Sequence, residues 1–188
     1  MNEIMQNPNP VLREKAKEVP QAIIETAKFQ KILADMKVAL DSQKDGVAIA
    51  APQIGVSLRI FVVSERALDV PEEVSERRKR LKNPEKIYGH IVYINPVITK
   101  ISKTRELLEE GCLSVRYAYG KVKRADKVTV RALNENGEPI TKGAKGLMAQ
   151  IFQHEIDHLD GILFIDKAVD VKEIPPTEIE SGITNQES

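Results

Sequence analysis

Apolar residues along this chain recur with two periods. Ile23, Ile24, Ala27, Ile32, Met36, Ala39 and Leu40 fall at helical spacing with charged residues between them, and Pro20 suits the approach to a helix start. This pattern predicts an amphipathic helix over 21–42, packed on the outside of the core. A second helix is expected over about 145–160, where Leu147, Ile151, His154 and His158 follow at steps of four, three and four on one face. Met148, Phe152, Ile156 and Leu159 make its flanks apolar too, which predicts a helix inside the protein. Gly143 and Gly146 loosen its entry, and Gly161 follows Asp160 where a left-handed end residue is favoured.

The other period is two. Residues 59–63 and 91–98 are β-branched and aromatic runs that read as strands, and Lys127–Leu133 alternates strictly, as a strand with one wet face does. A turn follows at 134–138, and 162–165 is a short apolar run expected to return onto the core. Two prolines keep 4–13 extended or turned. Together these elements predict an α+β fold, with antiparallel or mixed sheets packed around the helix that carries His154 and His158. One domain over 1–170 is expected, with a polar, acidic and mobile tail at 171–188. Residues 65–86 read as a charged, solvated insert.

Composition narrows the function. A chain of 188 residues buries a core without disulfides or a structural metal, so any bound metal is expected to serve chemistry. Lys plus Arg equals Asp plus Glu at 28 each, so no net field recruits nucleic acid or an anionic membrane. The single cysteine cannot form an internal disulfide, and the opening residues carry neither a basic, then apolar leader nor an Arg-rich presequence. A cytoplasmic location is expected. No run approaches the ~18 apolar residues that span a bilayer, so a membrane role is not expected.

Residues 153–158 read Gln-His-Glu-Ile-Asp-His, the pattern His-Glu-x-x-His. Histidines four apart on a helix can share one metal ion, and Glu155 between them is placed to handle the protons of its water. Alone, the pattern also fits satisfied core histidines; that two of the chain's three histidines stand here favours the metal. Residues 46–55 are rich in small side chains, with Gln53 the one strongly polar group. They read either as a tightly packed turn or as a stretch that lets a ligand approach beside an amide. Cys112 follows Gly111, and a lone cysteine is more often a small buried hydrophobe than a ligand.

Taken together, Gly46-Val47-Ala48-Ile49-Ala50-Ala51-Pro52-Gln53, Glu110-Gly111-Cys112-Leu113-Ser114 and Gln153-His154-Glu155-Ile156-Asp157-His158 resemble, in order, the three signature motifs of the peptide deformylases. Asn9-Pro10-Val11-Leu12-Arg13, Arg124 and His158-Leu159-Asp160-Gly161 extend the likeness over residues 4–167. The chain has Ala48 where the family motif usually has a second glycine. The resemblance implies that Cys112, His154 and His158 bind the metal and that Glu155 is the acid/base. It further implies that Gln53 and the backbone N–H of Leu113 hold the oxygen of the reacting carbonyl. Ferrous iron (Fe2+) is the implied metal, while Zn2+, Ni2+ or Co2+ suit the same donors. The implied reaction is hydrolysis of N-formyl-methionyl nascent peptides to formate and a free methionyl terminus.

Gly46, Val47 and Ala48 are then expected beside the substrate. Helix phase and motif position make Val47, Leu108 and Ile151 candidates for the apolar pocket that takes the methionine side chain. The partners expected are formyl-methionyl nascent peptides and the ribosome, with Arg77-Arg78-Lys79-Arg80 as a conceivable contact; no specific nucleic acid and no membrane is expected. Two other readings remain at this point: a His-Glu-x-x-His zinc peptidase, and an inactive relative that binds ribosomes or nascent chains. Cys112 in a matching segment of its own weighs against the first, and the presence of both Glu155 and Gln53 against the second.

Overall fold

A computed structural model of the chain describes residues 3–43, 45–68 and 87–174. Helix α1 spans Ala27–Asp41, starting later than the apolar periodicity suggests. Thr26 sets that start: its Oγ1 accepts from Phe29 N (3.3 Å) and caps the first turn. The residues before it form a separate 3-10 turn, Gln21–Ile23. Helix α2 spans Gly146–Leu159, as its apolar stripe predicts.

The described residues form strands β1 (Ala48–Ala50), β2 (Ile60–Ser64), β3 (His90–Ile101), β4 (Arg105–Cys112), β5 (Val115–Ala125), β6 (Lys127–Leu133), β7 (Pro139–Lys145) and β8 (Val169–Glu173). They make a five-stranded sheet in the order β1-β2-β3-β6-β7 and a three-stranded sheet in the order β4-β5-β8. Every strand pairing is antiparallel. β3 outlasts its apolar run because bulges after Ile94 and Ile98 restore its pairing with β6.

Residues alternate across β2, so Ile60 and Val62 pack with Phe29, Leu33, Met36 and Leu40 of α1, while Phe61 and Val63 face the opposite side. There they meet Tyr93, Val128 and Val130 of the sheet and Phe152 and Ile156 of α2. The Phe152 ring lies edge-on to Tyr93 at 5.0 Å and 5.9 Å from Phe61, centroid to centroid, which fixes the helix on the sheet. Burial pushes the Tyr93 hydroxyl up to about 12, so it stays neutral. α2 contacts β1, β2, β6 and β7 of one sheet and β5 of the other, and so carries its side chains into the space between them.

A second sequence expectation changes at the C-terminal side. Residues 171–173, expected in the tail, belong to β8, whose Lys172 and Glu173 pair with Tyr119 and Ala118 of β5. The run at 162–165 returns to the core as expected, with Leu163 and Phe164 buried, and leads into the 3-10 turn Phe164–Asp166. Most of the insert at 65–86 and the tail from 175 onward, including the basic run at 77–80, lie outside the described residues. No helix among the described residues is long and apolar enough to cross a membrane.

Candidate metal centre

α2 is held at both ends by glycines in the left-handed region, Gly146 at φ 55° and Gly161 at φ 75°. At Gly161 a side chain is doubly excluded, because a Cβ there would stand 2.5 Å from the Arg13 carbonyl oxygen. Midway along the helix, Gln153 clamps the end of β5: its Oε1 accepts from Ala125 N (2.9 Å) and its Nε2 donates to Ala125 O (3.0 Å). Gln150 Nε2 donates to Glu109 O on β4 (2.9 Å). These bonds set the depth and rotation of the next turn, which carries His154, Glu155 and His158.

The two imidazoles lie edge to face with centroids 5.0 Å apart. Cys112 comes to them from the end of β4, and its Sγ is 3.1 Å from His158 Nε2. The preceding Gly111 is needed for contact rather than for freedom, since a Cβ there would sit 2.8 Å from the Tyr119 ring across the hairpin. Among the described residues, Cys112, His154 and His158 form a group whose ligand atoms all lie within 4.8 Å of one another. One ion with bonds of ~2.0–2.3 Å spans that distance after small side-chain rotations, and a thiolate with two imidazoles leaves a position open for a reacting molecule.

The electrostatics suit such an ion. Burial alone would raise the Cys112 thiol, but His158 and His154 outweigh it and bring the group down to about 5, so sulfur is ready as a thiolate. His154 shifts upward: burial opposes its charge, and Cys112 and Glu110 favour it more strongly. Burial lifts the Glu155 carboxyl above its ordinary value, with His154 and His158 opposing. Glu155 Oε2 and His158 Nδ1 are buried without a hydrogen-bond partner among the described residues. A buried oxygen in that condition needs a proton or a bound molecule to satisfy it.

Glu110, Arg124 and Asp157 carry part of the family likeness, but sequence reasoning gives them no role; in the structure they stand behind the cluster. His154 Nδ1 lies 3.0 Å from Glu110 Oε2 on β4, which leaves Nε2 for a metal. Glu110 in turn takes a bidentate contact from Arg124 on β5 (2.7 and 2.9 Å). Arg124 also reaches Asp157 (2.6 Å), and Asp157 reaches Lys167 (2.7 Å). Buried charge is thus paired over its whole length, ending at the surface. Spacing does not reveal it, because Glu110 and Arg124 meet only once the β4–β5 hairpin has its register.

Gln53 sits in the 3-10 turn Ala51–Ile54 and is buried. Its Oε1 accepts from Ala50 N (2.8 Å), which turns its Nε2 toward Ser114 Oγ (3.1 Å) and Cys112 Sγ (3.6 Å). Ser114, fully buried, stands in the motif around Cys112, though the resemblance assigns it no role. Leu113 lies between it and Cys112 in the tight turn from β4 to β5, with its side chain against Gly46. A Cβ on Gly46 would approach Leu113 Cδ1 at 3.3 Å and Leu40 Cδ1 at 3.2 Å. Arg116 of β5 bonds Gln43 and approaches Asp45 (3.8 Å), tying down the chain before Gly46. Ala48 and Ile151 are buried in one apolar cluster with Val47 packed against it. Leu108 is half-buried on β4 and stands apart from that cluster.

The sequence profile of the polypeptide deformylase family matches residues 1–173. Peptide deformylases from Desulforudis audaxviator and Halothermothrix orenii are 41% and 44% identical to the chain. The alignments cover 90% and 88% of the chain and 94% and 92% of those proteins. A crystal structure of a class I type b peptide deformylase from Acinetobacter baumannii with Met-Ala-Ser bound superposes with a TM-score of 0.72 at 30% identity, covering 87% of this chain and 96% of that one. With its fold, its three-donor cluster and near-complete alignment in agreement, the chain belongs to the polypeptide deformylase family, metal enzymes that remove the formyl group from the N-terminal methionine of new polypeptides.

Proposed function

We propose that Cys112 Sγ, His154 Nε2 and His158 Nε2 hold one ferrous ion, and that residues 1–173 act as a single catalytic unit. Such an ion would supply Lewis acidity, which brings the pKa of water down toward ~7. Glu155 Oε2 would take the proton of the attacking water and return it to the departing amine nitrogen. Gln53 Nε2 and the Leu113 N–H donate to the carbonyl oxygen as its negative charge grows; removal of one such donor typically costs ~10² to 10³ in rate. The new C–O bond forms at the formyl carbon, the C–N bond breaks, formate leaves, and the methionyl amine stays on the peptide. The observation that carries this reading is Glu155 Oε2, buried and without a partner among the described residues, beside three metal-suited donors.

β1 and β4 are edge strands of their sheets, and the chain at their ends meets where Gly46 packs on Leu113. A formyl peptide extended along these edges passes Gly46 and Ala48 and places its methionine side chain against Val47, Ile151 and Leu108. The Acinetobacter baumannii enzyme with Met-Ala-Ser bound supports a peptide of this kind as the ligand. We also assign the ribosome as the place where that peptide is met, within the cytoplasm, and Arg77-Arg78-Lys79-Arg80 as the contact. Charge reversal of the run is expected to reduce co-sedimentation with ribosomes, and unchanged co-sedimentation would remove this assignment.

The test of the reaction is formate release from formyl-Met-Ala-Ser by protein prepared anaerobically with iron. One formate per new amine is expected. Cleavage of internal peptide bonds without formate would favour a zinc peptidase instead. Activity of the iron form is expected to decay in air and to return with nickel, since the thiolate and Fe2+ both oxidise; full activity in aerobically prepared protein holding only iron would contradict the choice of metal.

A further inference from the structure

We infer that residues 4–7 are a positioning device for the two donors that hold the reacting oxygen, and that the Gln6 side chain is its adjustable member. This rests on the roles proposed above for Gln53 and Leu113. Those donors come from separate elements, the 3-10 turn at Ala51–Ile54 and the turn between β4 and β5. What joins them on the substrate side is Gln53 Nε2 bonding to Ser114 Oγ and Cys112 Sγ, and that nitrogen has to turn to the substrate oxygen during reaction. Their spacing therefore needs a second support.

The N-terminal segment supplies one from behind. Met5 N–H donates to Gln53 O (2.8 Å), Gln6 Nε2 donates to Leu113 O (2.9 Å) and to Ile4 O (3.2 Å), and Asn7 N–H donates to Ser114 O (2.9 Å). Three consecutive residues thus bind first one element and then the other. Holding the carbonyls of Leu113 and Ser114 fixes two successive peptide planes, and the planar Cys112–Leu113 peptide just before them then has little freedom to swing its N–H. Ile4 is 7% exposed and packs in the α1 cluster, so the segment is anchored to the core. Gln6 itself is exposed, so replacing it leaves the core untouched.

A donor displaced by a fraction of an ångström still permits substrate binding but stabilises the transition state less, so the loss belongs in kcat. Gln6→Met keeps the length of the side chain and removes the donor, Gln6→Lys supplies a new one, and Gln53→Ala is the reference. On formyl-Met-Ala-Ser with the iron-loaded full chain, Gln6→Met is expected to lower kcat about five- to tenfold, the loss of one modest hydrogen bond, with KM within about twofold. Its Tm should stay within about 2 °C of the parent, since the site is on the surface. Gln6→Lys is expected to recover most of kcat. An unchanged kcat in Gln6→Met, a loss confined to KM, or a loss shared equally by Gln6→Lys would overturn the inference while Gln53→Ala still falls about 10²-fold. An active Gln53→Ala would instead remove the reading on which the inference rests.

Discussion

Helix α1 covers one face of the five-stranded sheet with Phe29, Leu33, Met36 and Leu40, all apolar and all buried. Helix α2 covers the other face with Phe152 and Ile156, but toward β4 and β5 it turns Gln150, Gln153 and His158, which are buried as well. Packing on the α1 side asks for volume and shape, and a neighbour of similar size could serve. On the β4–β5 side each buried atom needs a particular partner, and the partners lie on another element. One side contributes stability through area; the other fixes the direction of a few nitrogens and one sulfur. Glu155 Oε2 and His158 Nδ1 are the exceptions on the polar side, buried without a hydrogen-bond partner among the described residues.

This contrast can be broken at several points. Arg124→Ala leaves Glu110 buried without its cation, and loss of one partner of a buried pair costs about 3 to 5 kcal/mol. Because Glu110 orients His154, the same variant should also bind metal about 10- to 100-fold more weakly in a chelator competition. Leu33→Ala on the apolar side should cost about 2 to 5 kcal/mol in urea unfolding yet leave kcat per folded molecule within about twofold. A metal-affinity loss in Leu33→Ala equal to that in Arg124→Ala would erase the distinction between the two sides.

The polar side should also respond to acid. Burial alone would raise the Glu110 carboxyl, but hydrogen bonds from Arg124 and His154 outweigh it and hold the group at about 2, against 4.5 ordinarily. A pKa lowered by folding contributes stability above the unfolded value; that contribution fades as pH falls from 4.5 toward about 2. Urea titrations of metal-free protein between pH 7 and pH 3 should show this loss, and Glu110→Gln should flatten it while lowering stability at pH 7. An acid dependence identical in Glu110→Gln would place the effect elsewhere. The smallest expected change is at Lys31, whose exposed bond to Asp35 (2.7 Å) is worth no more than about 0.5 kcal/mol, so Lys31→Ala should hardly move the urea midpoint.

How much of this was legible in the sequence follows the same division. α2 and its ends could be read because its apolar stripe is long and Gly161 closes it, and β6 because one face is wet and the other dry. The α1 start was misplaced since the apolar spacing runs through Thr26, whose capping role is a matter of one hydrogen bond. β4 and β5 gave little warning: Glu106, Glu109, Lys121 and Lys123 crowd them with charge, and although Glu110 and Arg124 carry part of the family likeness, nothing in the spacing pairs them before the hairpin has its register. Cys112, His154, His158, Glu155 and Gln53 were marked by motif; the structure clusters the donor atoms of the first three within 4.8 Å and sets Gln53 Nε2 3.6 Å from Cys112 Sγ. Ser114 stands in a motif but carried no role there, and Gln6 lies in none, because a serine hydroxyl and a surface amide acquire meaning only from what a distant turn places beside them.

The central claim is that Glu155 moves the proton while Cys112, His154 and His158 hold the metal independently of it. Glu155→Gln preserves shape and removes the base, so the measurement is formate release from formyl-Met-Ala-Ser by this variant after anaerobic iron loading, with metal content determined on the same sample. The account predicts one iron per chain and a kcat at least about 10²-fold below the parent. A metal-loaded Glu155→Gln that releases formate within about tenfold of the parent rate would contradict it.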